Sequence, residues 1–356
     1  MQLDDGPVDL VSIGWDPAFE PKDPAPGSII GRIGVEHRGA YTVFTERGQI
    51  TASIPGRMRH EAMGGGELPA VGDWVLMEPL DGEARGIIHS ILPRKSRFSR
   101  KVAGEVTKEQ VVAANVDTVF IVTALNQDQN LRRVERYLAL AWESGALPVV
   151  VLTKADLCDD VLGAIAEFAA VAPGVDIHAV SVLTNVGVEE LNTYLSGNRT
   201  IALLGSSGVG KSTLVNRLAG SSMKVKSIRS DGKGKHTTTH REMIVVPGGG
   251  VIIDTPGMRE VQLWDADEGL DTTFADITAY AADCKFNDCA HHGEPGCAIA
   301  AALASGELDA ERLESYRKLE KELEFLERRQ SNRLQREEAR KYRKLNSEAR
   351  ARTRHR

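Results

Sequence analysis

An α/β domain on a mainly parallel sheet, preceded by a small antiparallel β-barrel and followed by a helical, cysteine-bearing module, is the fold class this sequence predicts. Three patterns carry the prediction. Between Thr118 and Ile253, short apolar runs read as buried strands and alternate with helical segments such as Leu131 to Glu143, the signature of a mainly parallel sheet. Between Ile29 and Leu92 the runs are shorter and broken by glycine, as in a small barrel. Finally, three cysteines and two histidines fall within the 14 residues from Cys284 to Cys297.

Taken in order, residues 1–27 carry proline at positions 7, 17, 21, 24 and 26 and are expected to form a loosely ordered leader. Residues 28–95 are expected to form the barrel, with the oligonucleotide-binding fold as its leading form. At its end Arg94, Lys95, Arg97, Arg100 and Lys101 surround Phe98. That basic stretch reads equally as an RNA contact and as a plain interdomain linker.

Residues 105–263 hold the α/β domain and its chemistry. Ile201 to Leu204 reads as a strand and Ser212 to Ala219 as the start of a helix. Between them lies G-x-x-x-x-G-K-S: Gly205, Ser206, Ser207, Gly208, Val209, Gly210, Lys211 and Ser212, with Thr213 leading into the helix. Such a loop directs backbone N–H groups and a helix N-terminus at the phosphates of a nucleotide. Lys211 is expected to reach the β- and γ-phosphates and Ser212 to bind magnesium. The strand Val251 to Ile253 delivers Asp254, which can hold magnesium through water, and Gly257, whose amide can meet the γ-phosphate. The strand Pro148 to Leu152 runs into Thr153, Lys154, Ala155 and Asp156. An aspartate there can accept from both the ring N–H and the exocyclic amine of guanine, with Lys154 over the base and bracing the phosphate loop; a polar helix-capping turn is the plain alternative. Ser181, after Ile177 to Val180, is the candidate for a last base-contacting loop. These are the parts of a GTPase in an unusual order, since the base reader ends a Ras-like GTPase and here comes first.

Residues 264–315 are expected to bind zinc. In Cys284-x4-Cys289-x-His291-x5-Cys297 three thiolates and an imidazole suit a tetrahedral, closed and therefore structural site, with His292 as the alternative imidazole. Clustered thiols without a disulfide framework imply a reducing compartment, and Cys158 reads as a packing residue. Nothing near the N-terminus resembles a signal peptide and no apolar run approaches the ~18 residues of a membrane span, so a cytoplasmic protein is expected. Residues 316–356 continue as a charged helix and basic tail. Residues 331–356 hold ten Lys/Arg and three Asp/Glu in a chain whose net charge is −6, so the rest is strongly acidic. The sequence from Leu308 to Leu345 has helix-forming composition and reads either as a solvated helix with a frayed end or as an RNA-facing basic arm.

The combination of GRIGVEHRGAYTV, PAVGDWV, ILPRKSRFSRK, QVVAANVDTVFIVTAL, TKAD, GSSGVGKST, GKHTTT, DTPGMRE and the zinc spacing resembles the RsgA (YjeQ) family of circularly permuted GTPases over about Gly31 to Cys297. The resemblance implies an oligonucleotide-binding barrel, a monomer, and GTP hydrolysis stimulated by the small (30S) ribosomal subunit and its rRNA during late maturation. It also implies that Thr238 senses magnesium and the γ-phosphate. Where Ras-like enzymes carry a water-orienting glutamine, this chain has Met258, so slow intrinsic turnover is expected. His236 is the candidate to position the attacking water, with an RNA-contacting role as its alternative. The other readings are a nucleotide-regulated RNA-binding protein without turnover and a permuted GTPase of the large subunit.

Overall fold

In a computed structural model of the chain, residues 6–21, 24–37, 39–62, 68–80, 82–101, 109–126, 129–220, 241–254, 267–326 and 328 are described. Five strands form the N-terminal barrel: β1 (Ile29–Glu36), β2 (Tyr41–Thr45), β3 (Gly48–Ser53), β4 (Trp74–Pro79) and β5 (Arg85–Ile91), with the short helix α1 (Gly56–Glu61) between β3 and β4. They pair in the order β1-β2-β3-β5-β4, and β4 returns to β1, which closes the barrel. Its interior is apolar because alternate residues point inward: Ile33, Val43, Ile50, Val75, Met77 and Ile88 form one buried cluster.

The leader, expected to be loose, packs over residues 6–21. Val8, Leu10, Ile13 and Phe19 are buried, and Trp15 and Phe19 stack around Trp74 with ring centroids 4.8 and 5.8 Å away. The prolines that suggested looseness also restrict the unfolded chain, so ordering the segment costs less, and the apolar side chains between them supply the contacts. The basic stretch is likewise engaged. Arg94 donates to both oxygens of buried Asp73 at 2.7 Å, Lys95 pairs with Asp16 at 2.7 Å, and Phe98 is buried in β6 (Arg97–Lys101), which forms a hairpin with β7 (Glu109–Ala114).

The α/β domain follows as β8 (Thr118–Ala124), α2 (Leu131–Ser144), β9 (Leu147–Thr153), α3 (Val161–Val171), β10 (Asp176–Ala179), β11 (Thr200–Leu204), α4 (Lys211–Leu218), β12 (Arg241–Val245) and β13 (Val251–Asp254). Its strands run in the order β10-β9-β8-β11-β13-β12, parallel except for β12. Every residue of β8 is buried, as expected for a strand covered on both faces. In α2, Asn130 caps the first turn by accepting from the Arg133 amide at 2.9 Å, and Val134, Leu138 and Ala141 form the buried face. The sheet does not stop at β12: Val35 and Glu36 of β1 pair with Glu242 and Arg241, so the barrel and the α/β domain share one eleven-stranded sheet.

Arg32 secures this junction from inside. It is 1% exposed, and its guanidinium donates to the carbonyls of Ile13 in the leader, Gly72 in the barrel and Asn115 at the entry to the α/β domain, the last two at 3.1 Å. Burial pulls its pKa down to about 10, still well above neutrality.

The helices α5 (Asp267–Thr273), α6 (Ala275–Ala282), α7 (Ala298–Ser305) and α8 (residues 310–326) close the chain's described part. Helix α5 lies so close to α2 that a Cβ on Gly269 would stand 2.3 Å from the Ala139 carbonyl. Helix α8 is clasped to α2 by ion pairs. Arg312 donates to both oxygens of Asp276 at 2.7 Å and to Glu135 at 2.9 Å, Arg132 reaches Glu135 and Asp309, and Arg136 takes both oxygens of Glu322 at 2.7 Å. The helix expected to be solvated or RNA-facing is thus bound to the α/β domain over this length, with Leu313, Leu319 and Leu323 buried. Among the described residues no helix is long and apolar enough to cross a membrane.

Candidate functional site

Parallel pairing puts the C-terminal ends of β8, β9, β10, β11 and β13 along one edge of the sheet. The loops leaving that edge contain Thr153 to Asp156, Ser181, Gly205 to Gly210 and Asp254, so residues separated by a hundred positions share one rim. Open parallel sheets bind ligands at this edge because the loops and helix N-termini converge there.

The phosphate loop turns sharply out of β11. Gly205 has φ +149 and a Cβ there would lie 2.3 Å from the Val122 carbonyl, so only glycine lets the loop pass this close to β8. Lys211 opens α4, and its ammonium donates to the loop's own carbonyls, Gly205 at 2.6 Å and Ser206 at 2.5 Å. The cation therefore sits over the concave face of the loop. Ser207, Gly208, Ser212 and Thr213 are exposed at the rim.

The base-reading loop is fixed from below. Thr153 is buried at the end of β9, and its hydroxyl donates to the Val209 carbonyl at 2.5 Å, with the Thr123 carbonyl at 3.2 Å. Two residues on, the Ala155 amide donates to the Val180 carbonyl at 3.1 Å. These anchors flank Lys154, which has φ +58, a region costly for a residue with a Cβ. Asp156 stands exposed beyond it. The described brace to the phosphate loop is thus made by Thr153, where sequence reasoning assigned it to Lys154. Ser181 is buried and accepts the Thr184 amide at 3.2 Å, which closes its own loop. His236, Thr238, Gly257 and Met258 lie outside the described residues.

The second site is the cysteine cluster. Cys284 follows α6, Cys289 and His291 lie in the loop, and Cys297 caps α7. Cys284 Sγ and Cys297 Sγ are 4.0 Å apart, and His291 Nδ1 lies 3.5 and 3.7 Å from them. All four donor atoms, Cys289 included, lie within 4.8 Å of one another. A tetrahedral ion with ~2.3 Å bonds to sulfur calls for donors roughly 3.8 Å apart, so these four residues fit a metal; His292 is outside the group. The electrostatics agree. Burial opposes ionisation of Cys284, but amide N–H groups from Ala298 and Ile299 outweigh it and lower its pKa. For Cys289 the His291 amide helps, yet burial and the two neighbouring thiols push it up to about 12. Two neighbouring thiolates such as Cys284 and Cys289 repel each other, and a cation between them removes that cost.

Comparison with known proteins places these features in one family. Residues 91–264 match the RsgA GTPase family. The small ribosomal subunit biogenesis GTPase RsgA of Opitutus terrae is 45% identical over 97% of this chain and 98% of its own length. RsgA 2 of Lactiplantibacillus plantarum, a protein of the same description, is 49% identical over 84% of each chain. Among solved structures, YjeQ from Thermotoga maritima superposes with a TM-score of 0.62 at 29% identity, covering 83% of this chain and 98% of that one. YloQ, described as a circularly permuted GTPase, shares the fold with a TM-score of 0.60 at 24% identity, over 83% of this chain and 95% of its own. On sequence identity that spans nearly the whole of both chains, and on a permuted order of GTPase loops around one sheet edge, this chain belongs to the RsgA GTPase family.

Proposed function

We propose that this enzyme hydrolyses GTP in the service of small-subunit ribosome assembly, turning over slowly alone and faster on the 30S subunit. The observation that carries the reading is the end-to-end similarity to a relative described as a small ribosomal subunit biogenesis GTPase. It is supported by a nucleotide edge on the same sheet as a closed β-barrel of the kind that binds nucleic acid. The working units are the barrel at 28–95, the GTPase domain at 105–263, the metal module at 264–315 and the charged helix with its tail at 316–356. The protein works in the cytoplasm as a monomer.

In the nucleotide site, Asp156 reads guanine, Lys154 covers its face, and Ala155 and Ser181 complete the base pocket. Gly205 to Thr213 hold the phosphates, and Lys211 leaves its loop carbonyls to meet the β- and γ-phosphates. Ser212 and Thr238 hold magnesium, Asp254 reaches it through water, and the Gly257 amide meets the γ-phosphate. Bound there, magnesium would supply charge neutralisation for phosphoryl transfer. Met258 can neither donate to nor accept from the attacking water, so His236 positions that water once the subunit is bound. The Cys3His site holds one zinc ion that stabilises its module, a loop too small to bury a core of its own.

Sedimentation with purified 30S and 50S subunits, in GDP and in a non-hydrolysable GTP analogue, tests the partner, and multiple-turnover phosphate release tests the reaction. The expected result is co-sedimentation with 30S in the triphosphate state together with stimulated release. Binding to 50S alone, or 30S binding with no turnover, overturns the reading.

A further inference from the structure

The Cys3His group is held by more than its four donors. His291 has φ +59, in the left-handed region that residues with a Cβ rarely adopt, so something must hold its peptide there. Two groups do. The Glu294 carboxylate accepts the amides on either side of His291, from Ala290 at 3.2 Å and from His292 at 2.7 Å. Arg317, projecting from α8, donates to the carbonyl of His291 itself at 2.5 Å. The peptide groups around His291 are therefore tied from within the loop and from a helix twenty residues downstream.

We propose that Glu294 and Arg317 are positioning residues of the metal site, which fix the His291 peptide so that Nδ1 faces the three thiols before an ion arrives. The inference rests on the metal reading given above. It makes α8 part of a site whose ligands all lie between residues 284 and 297. Metal leaves such a site when one ligand swings away. Glu294 also accepts from Cys289 Sγ at 3.6 Å, but among the described residues His291 is the ligand whose peptide groups both Glu294 and Arg317 hold, so this tether governs that step. Outer-shell partners of this kind typically change metal affinity by about 10- to 100-fold.

The test uses the full-length chain loaded with zinc, released into excess chelator and followed with a colorimetric indicator. Glu294→Ala and Arg317→Ala should each release metal about tenfold faster. Glu294→Gln, which keeps acceptor oxygen but no charge, should fall between them and wild type, and Arg317→Lys, which keeps one donor, should restore slow release. With cobalt in place of zinc, the visible absorption bands should keep their tetrahedral intensity in the conservative variants and weaken in the alanine variants. Binding of a fluorescent guanine nucleotide should be unchanged in all four. Release within about twofold of wild type in both alanine variants overturns the proposal, and release from Arg317→Lys as fast as from Arg317→Ala overturns the role of Arg317. A wild-type chain that holds no metal overturns the metal reading itself, and the positioning roles with it.

Discussion

At the scale of single residues, Thr153 is a strand-end side chain whose hydroxyl joins the base-reading loop to the phosphate loop 56 positions away. In Thr153→Val the shape is kept, but the buried Val209 carbonyl loses its donor, a loss of about 1–3 kcal/mol. The expected outcome is weaker binding of GDP and GTP alike, by roughly tenfold, with Thr153→Ser near wild type; titration with a fluorescent nucleotide measures both. Asp156→Asn belongs to a different class. It should leave phosphate binding intact yet erase the preference for GDP over inosine diphosphate, which lacks the exocyclic amine that Asp156 is proposed to read. His236→Ala should keep GTP affinity and 30S co-sedimentation while losing most of the stimulated turnover, because an interaction made only in the transition state is the one removed. Residues of this kind were legible in the sequence because phosphate, guanine and metal chemistry each demand particular residue types at fixed spacing. The Thr153 brace was not, because nothing local distinguishes a hydroxyl that bonds across the fold from one that caps a turn.

At the scale of elements, the clasp between α2 and α8 shows what a charge pattern conceals. Glu135 and Arg312 look like the solvated faces of two helices, yet Glu135 is fully buried and Arg312 is 5% exposed, and they meet across 177 positions. Sequence spacing exposed the apolar stripe of each helix but not the partner it faces, since ionised side chains are seldom buried unless paired. Arg312→Ala removes the counter-charge of Asp276 and leaves buried Glu135 paired with Arg132 alone, which should weaken module docking by up to about 3 kcal/mol, seen as early proteolysis in the region beyond Trp264 during urea unfolding. The clasp also carries a pH signature. Burial opposes ionisation of Asp276 and Asp309, but Arg312 for the first, and the Glu311 amide with Arg132 for the second, outweigh it and hold both below 3.8; Arg136 holds Glu322 below 4.5. Carboxylates depressed on folding contribute fully above their unfolded values and lose that contribution as pH falls through the folded ones. Docking should thus be constant from neutrality to about pH 5 and weaken below pH 4, which thermal unfolding across that range would record; a midpoint near pH 6 would assign it to a histidine instead.

At the scale of the whole molecule, periodicity announced the barrel and the α/β domain separately, and the junction between them stayed hidden. Nothing in the local sequence marks Arg32, although its guanidinium holds three segments by their carbonyls. Arg32→Met, close in volume but without donors, takes the guanidinium from the Ile13 and Asn115 carbonyls in a dry interior and leaves Gly72 with the Asn115 side-chain amide alone. Calorimetry should then resolve two unfolding transitions where the wild type gives one for barrel and α/β domain together. The pairing of β1 with β12 carries a mechanical consequence. Strand β12 is the first described element after residues 221–240, which contain His236 and Thr238, and on its far side it pairs with the barrel. Its register cannot slip by one residue without turning every side chain to the opposite face. A pull on the chain from that segment therefore cannot be absorbed by sliding and is passed sideways, across β12, to the barrel strand hydrogen-bonded beside it.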